Sequence, residues 1–168
     1  MRRFLCLVLI VSTVVLTGCG NRFISSYENP VYFYYPLTNI DLYSDGSTLG
    51  YETREGAEFS TVSELLEIYF QGPESDEFYS PFPDNIALVD TKISGTHIRI
   101  TLNDKFSDAL GLQLTIATSC LALTLINSLS FTGVDIDILS LDGTVARSFS
   151  LSKDNITLTD PYVALPKE

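Results

Sequence analysis

Leu110-Gly111-Leu112-Gln113-Leu114-Thr115-Ile116-Ala117-Thr118-Ser119-Cys120-Leu121-Ala122-Leu123-Thr124-Leu125-Ile126-Asn127-Ser128 contains no charged side chain. Leu114, Ala117, Cys120 with Leu121, and Thr124 with Leu125 recur at helical spacing, and apolar residues occupy the remaining faces as well. A helix that is apolar nearly all round has to be buried, so this segment predicts the central helix of the fold. Gly133 ends the loop beyond it, and Val134, Ile136 and Ile138 then alternate with Asp135 and Asp137. Alternation predicts a strand with one buried and one wet face. Asp142-Gly143 turns the chain into Thr144 to Leu151, a hairpin with a type I′ signature.

On the N-terminal side of the helix, Ile86 to Ile93 and Thr96 to Leu102 flank Ser94-Gly95, a second hairpin signal. Ile98, Ile100 and Leu102 share one face of its second arm, while His97, Arg99 and Thr101 share the other. Further upstream, Thr61-Val62-Ser63-Glu64 fits a capping box, and Val62, Leu65, Leu66 and Tyr69 follow at i, i+3, i+4, i+7 until Gly72-Pro73 stops the run. This predicts the first helix, with Glu64 and Glu67 on its other side. Val31 to Tyr35 is a β-branched and aromatic run closed by Pro36, a first strand. Leu37 to Phe59 is rich in turn residues and holds short strand pieces around Ile40 to Tyr43 and Leu49 to Thr53. The order is β-α-β-β-α-β-β. Helices separated by a hairpin predict an α+β fold, a mixed sheet with both helices on one face. Lys153 to Glu168 reads as a C-terminal tail with room for one edge strand at Ile156 to Leu158.

The chain has 168 residues, 45% of them hydrophobic and 18% charged, which suits one compact domain with a real core. Ten basic residues against 21 acidic ones give a net charge of -11, a field that repels nucleic acid and anionic headgroups. One histidine and three cysteines offer little for imidazole catalysis or for a sulfur and nitrogen metal site.

Arg2 and Arg3 precede an apolar run from Phe4 to Val11 that resumes after Ser12 and Thr13 and ends at Leu16. This is a charged n-region and an h-region too short to span a bilayer. Leu16-Thr17-Gly18-Cys19 resembles the bacterial lipobox. A thiolate is nucleophilic enough to take a diacylglyceryl group, and two small residues leave room for a peptidase to cut before it. Residues 1–18 therefore read as a lipoprotein signal peptide, and residues 19–30 as the lipidated Cys19 with a short tether. Cleavage leaves 150 of the 168 residues, and the loss of Arg2 and Arg3 takes the charge from -11 to -13. Several acyl chains hold a protein firmly, since each buried CH2 contributes about 0.8 kcal/mol. Cys6 leaves with the signal and Cys19 is alkylated, so Cys120 has no disulfide partner within the chain.

Val31-Tyr32-Phe33-Tyr34-Tyr35, the helix ending in Gly72-Pro73, Ser80-Pro81-Phe82-Pro83, Ile98 to Leu102 followed by Phe106, Thr124-Leu125, and Val134 to Asp142-Gly143 together resemble the GerMN domain of bacterial sporulation and germination proteins and other envelope lipoproteins. The resemblance spans about residues 30 to 145 and places a GerMN-like domain over residues 31–152, followed by the tail at 153–168. It implies a small α+β fold similar to the ring-building modules of secretion-like assemblies. It implies no catalytic residues, and a role in envelope or channel assembly. This chain has one copy where some relatives have two, and no extra C-terminal domain.

Several side-chain groups have a chemical reading beside a structural one. Asp41, Asp45, Gly46 and Glu52 match positions 1, 5, 6 and 12 of a calcium loop, but Tyr43 stands at position 3 and the flanks are strand-like. A turn at Asp45-Gly46 accounts for them as well. Asp135 and Asp137 are spaced to share a cation or to line a wet strand face. His97 has no second histidine or nearby cysteine in sequence, and the serines lack a G-x-S-x-G frame. Cys120 sits in the most apolar helix as a small hydrophobe. Tyr27, Tyr32, Phe33, Tyr34 and Tyr35 could stack on a glycan or anchor an interface. In a strand, however, either Phe33 and Tyr35 or Tyr32 and Tyr34 belong to the core. Phe78-Tyr79-Ser80-Pro81-Phe82-Pro83 is a second aromatic cluster, in a loop.

The sequence thus predicts a non-catalytic lipoprotein on the outer face of the cytoplasmic membrane, with no cofactor and no metal. It would act as an assembly or scaffold protein in sporulation or germination, through Tyr79, Phe82, Arg99, Asp135 and Asp137. The alternative is a binding module for cell-wall glycan, peptidoglycan included, or a small ligand. Its expected partners are the membrane, through Cys19, and an envelope protein.

Overall fold

The computed structural model describes residues 30–39, 48–54, 59–156 and 162–163. The signal peptide, Cys19 and the tether as far as residue 29 with Tyr27, the strand piece expected at Ile40 to Tyr43, and Asp41, Asp45 and Gly46 of the calcium-like pattern lie outside them. The elements run β1 (Val31–Pro36), β2 (Leu49–Arg54), α1 (Val62–Phe70), β3 (Leu88–Ser94), β4 (His97–Leu102), a 3-10 turn (Asp104–Phe106), α2 (Gly111–Leu129), β5 (Gly133–Leu139), β6 (Val145–Ser152) and β7 (Tyr162–Val163). The fold is α+β, with helices and strands in roughly the order expected.

The strands do not form one sheet. They divide into a three-stranded sheet, β1-β2-β7, and a four-stranded sheet, β3-β4-β5-β6, and each mixes parallel and antiparallel pairs. One hydrophobic core joins them, in which Phe33 and Tyr35 from the first sheet meet Ile98, Ile100 and Ile136 from the second and Leu65, Leu66 and Tyr69 of α1. β7 was not foreseen. It pairs parallel to β2 at Gly50 and Tyr51, whereas Thr157 and Leu158 of the expected edge strand lie outside the described residues.

Local chemistry accounts for the boundaries. The Thr61 hydroxyl accepts the Glu64 N–H at 3.2 Å, while the Glu64 carboxylate reaches back one residue further than expected, to the Ser60 N–H. Gly72, at φ +93°, ends the α1 segment. In the β3-β4 hairpin only Gly95, the first of two loop residues, has positive φ (+61°), the pattern of a type II′ turn. The β5-β6 loop departs from the type I′ expectation. Gly143 has φ +81° but Asp142 does not, and Gly143 N–H donates to Ser140 O at 2.9 Å. The loop is therefore a type I turn closed by a left-handed glycine, the commonest three-residue hairpin.

α2 is long and apolar enough to cross a membrane by length and composition, yet most of it is buried inside the domain. It packs on β5 and β6 and also runs antiparallel along β1. There Thr124 Oγ1 accepts the Tyr34 N–H and Ser128 Oγ both accepts the Tyr32 N–H and donates to the Tyr32 carbonyl, each at 3.0 Å. Two hydroxyls thus stand in for a missing neighbour strand. A buried donor left without its acceptor costs about 1 to 3 kcal/mol. Thr124→Val, which keeps the shape and removes the acceptor for Tyr34, is expected to lower unfolding free energy by that amount in urea titration. An unchanged midpoint would show that the hydroxyl is dispensable.

Candidate functional site

The outward face of the four-stranded sheet gathers three of the expected interaction residues. Strand register sets Arg99 opposite Asp135, and Thr101 opposite Asp137, with Ser150 and Ser148 next in the same two rows. Arg99 spans both rows, donating from Nη2 to Asp135 Oδ2 at 2.9 Å and from Nη1 to Asp137 Oδ2 at 3.1 Å. The second oxygen of each aspartate accepts a serine hydroxyl, Ser150 on Asp135 and Ser148 on Asp137. The hydrogen bond and charge of Asp137, followed by the charge of Asp135, raise the Arg99 pKa above its ordinary value. Asp137 was expected to project outward as a free charge; it is instead buried beneath this network. Both carboxylates already hold an internal cation, so the cluster reads as a closed ion-pair ladder with no reactive group left over.

His97 lies in the neighbouring row, above Gly133. A Cβ at residue 133 would stand 2.5 Å from the imidazole Cδ2, so only glycine lets the ring lie flat against β5. Gly133 is therefore the first residue of the strand, where the sequence suggested the end of a loop.

The aromatic loop divides. Tyr79 is exposed, but Phe82 is 9% exposed and belongs to the core, with its ring 5.5 Å from Tyr69, 5.1 Å from Phe70 and 5.8 Å from Phe106. Phe78 is buried too, its ring tilted against Tyr35 with centroids 6.3 Å apart. The loop is folded over the core, because two prolines fix its path and its large rings gain more from burial than from water. Phe82 is thus corrected from a contact residue to a packing residue.

In β1 the alternation resolves in favour of Phe33 and Tyr35 as core residues. Tyr32 and Tyr34 emerge on the opposite face beside Tyr51 of β2, with ring centroids 5.2 and 5.3 Å from it. Asn127 Nδ2 donates to the Tyr34 hydroxyl at 3.0 Å. Burial, then the adjacent phenols of Tyr51 and Tyr32, push the Tyr34 pKa up to about 12. Tyr34 is itself buried with Leu49, Cys120 and Leu123 in a second small cluster, and Tyr32 and Tyr51 are half-buried against it. Cys120 is fully buried, and burial pushes its thiol far above the reactive range.

One constellation went unrecognised in the sequence. Glu52, position 12 of the calcium-like pattern, is buried and ion-paired with Arg54 at 2.7 Å. Its oxygens also accept the N–H groups of Glu74 and Ser75, while Arg54 donates to Gly72 O at 2.6 Å and lies 4.7 Å over the Phe33 ring. Glu52 is therefore committed to holding the loop after α1, which leaves it no free oxygen to offer calcium. Among the described residues no group of three His, Cys, Asp or Glu side chains is placed to hold a metal ion.

Two outcomes follow from these positions. Phe82→Ala is expected to cost about 3 to 5 kcal/mol of stability by thermal or urea unfolding, whereas Tyr79→Ala should leave the midpoint nearly unchanged; equal effects would mean that the loop packs otherwise. Asp142 is held down to about 2, first by the Ser140 hydroxyl, then by the backbone and hydroxyl of Thr144. Its folded pKa lies below the unfolded value of 3.8, so the stabilisation it gives the hairpin is complete above about pH 4 and fades as pH falls towards 2. Carboxyl-carbon NMR should show a midpoint near 2, and an ordinary aspartate midpoint would refute the turn geometry. No family model matches the chain, and neither a curated protein nor a solved structure matches it.

Proposed function

We propose that this protein is a lipid-anchored, non-catalytic envelope lipoprotein of GerMN type that acts as an assembly scaffold in sporulation or germination. It is held by acyl chains on Cys19 at the outer face of the cytoplasmic membrane. The observation that carries the anchor is Leu16-Thr17-Gly18-Cys19 behind Arg2, Arg3 and an apolar run. The scaffold reading is supported by the state of the charged groups. Arg99 is tied up between Asp135 and Asp137, Glu52 and Arg54 pair with each other, and Cys120 is sealed in the core. A domain whose best-formed charge clusters hold its own strands and loops together acts through shape and surface. The GerMN likeness, carried by Val31 to Tyr35, Ser80 to Pro83 and Val134 to Gly143, points the same way.

The test is the anchor. Cys19→Ser removes the thiol that takes the diacylglyceryl group, so the variant should accumulate as uncleaved or misprocessed precursor. Metabolic labelling with a palmitate analogue and mass spectrometry of the mature N-terminus read this directly. Normal processing and detergent-phase partitioning of the variant would remove the lipoprotein reading.

A further inference from the structure

Of the large exposed apolar side chains of the four-stranded half, Ile93 lies beside the β3-β4 turn, while Leu110, Leu112, Leu141 and Val145 lie towards the other end. β4 and β5 are parallel and are joined through α2, so the start of α2, the end of β5 and the start of β6 share that end. Leu110 and Leu112 open the helix at 68% and 74% exposure, and Leu141 tips the β5-β6 hairpin at 90%. Val145, opposite Leu139 in the register, is also exposed. Arg147 ties the two parts together by donating to Ala109 O at 2.8 Å. Large exposed apolar side chains towards one end of a domain are a mark of an interaction surface.

We propose that this end of the domain is the docking surface for a protein segment that is apolar along one face and basic at its flanks. This deepens the scaffold reading and rests on it. Both leucine sites have a carboxylate near them in sequence, Asp108 two residues before Leu110 and Asp142 directly after Leu141. The two cations at this end are already engaged, Lys105 with Asp104 at 3.7 Å and Arg147 with the Ala109 carbonyl. An apolar patch edged by carboxylates complements lysine or arginine flanking an apolar stripe. A second copy of this chain fits badly, because a two-fold contact would set these carboxylates against their own images. An anionic bilayer fits badly for the same electrostatic reason. Position agrees. The chain enters β1 at Val31, beside Ser128 at the far end of α2, about 27 Å along a nineteen-residue helix from Leu110. The leucines therefore sit at the end opposite the one from which the chain leads back to Cys19.

The test uses the full acylated chain in detergent micelles and, as probe, a fluorescent synthetic amphipathic helix of leucine and lysine. Anisotropy should report saturable binding that weakens about tenfold or more in a Leu112→Ser, Leu141→Ser double variant. It should weaken comparably in an Asp108→Asn, Asp142→Asn double variant, which should also lose salt dependence, and a probe with glutamate for lysine should not bind. All four side chains are exposed or lie in surface turns, and circular dichroism checks that the variants fold. Lys92→Ala, remote on β3, should bind as the parent does. Affinity unchanged in both double variants overturns the proposal. So does sedimentation showing a dimer that Leu112→Ser dissolves, or capture of phosphatidylglycerol vesicles by the same leucines. In-cell photo-crosslinking from Tyr79 that retains a partner while the probe ignores the leucine end would remove this site and leave the scaffold reading; loss of acylation would do the reverse.

Discussion

The unpaired edge of β1 is the constraint on which the rest of the structure turns. Among the described residues, β2 is the one strand that pairs with Val31 to Pro36, and on the other side the Pro36 carbonyl accepts the Tyr79 N–H at 3.1 Å. The remaining N–H and C=O groups on that side would be buried without partners wherever a helix packs against them, at about 1 to 3 kcal/mol for each group. Apolar side chains alone could not resolve this. α2 can, because two of its few polar residues, Thr124 and Ser128, stand one turn apart and match the spacing of Tyr32 and Tyr34 along the strand. The helix can therefore be apolar nearly all round and still lie beside an open sheet edge. With α2 locked to β1 on one side and packed on β5 and β6 on the other, the two sheets share one core.

Around that joint the aromatic residues supply both bulk and polar ties. Tyr69 of α1 donates its hydroxyl to the Tyr34 carbonyl at 2.6 Å, and Tyr35 donates to the Tyr69 carbonyl at 2.9 Å. Each ring fills core volume while its hydroxyl satisfies a backbone carbonyl. Burial pushes both phenols well above their ordinary pKa, so they remain neutral donors at any physiological pH. The Glu52 and Arg54 pair does comparable work at the margin, where its desolvation is offset by main-chain partners and by the Phe33 ring face.

Periodicity made most elements legible, because it reports which face of one segment is buried. The capping box at Thr61, the alternation through Ile98, Ile100 and Leu102, and the uncharged run through Leu121 each specify an element from within itself. What they could not specify is which strands share a sheet. A strand buried against a helix and one buried against another sheet show the same alternation, so the split into two sheets left no trace in any single segment. Phe82 failed for a related reason: residues in a proline-bounded loop have no period from which burial can be read. The role of Glu52 is invisible in sequence because a pattern scores only its spacing from Asp41, whereas its partners, Arg54 and the N–H groups of Glu74 and Ser75, are selected by the tertiary path of the chain. Thr124 and Ser128 carry no sign of their role in the helical repeat, since only the placement of β1 gives their hydroxyls a purpose.

The same topology decides where the surface can be apolar. A parallel pair joined by one helix brings the helix start and the strand ends to a common end, while the opposite end holds the helix terminus and the entry into β1. At the latter end Thr132 and Thr96 bond to each other and His97 closes over Gly133, so polar groups there are mutually satisfied. On the open sheet face Arg99 does the same for two aspartates. Satisfied polar groups give little to a partner, because breaking them costs about as much as a new contact returns. Exposed leucines have no such prior engagement, and removing them from water is worth about 25 cal/mol per Å². The surface with most to gain from a partner is thus the one where Leu110, Leu112 and Leu141 meet water, rather than the Arg99 face to which the sequence first draws attention.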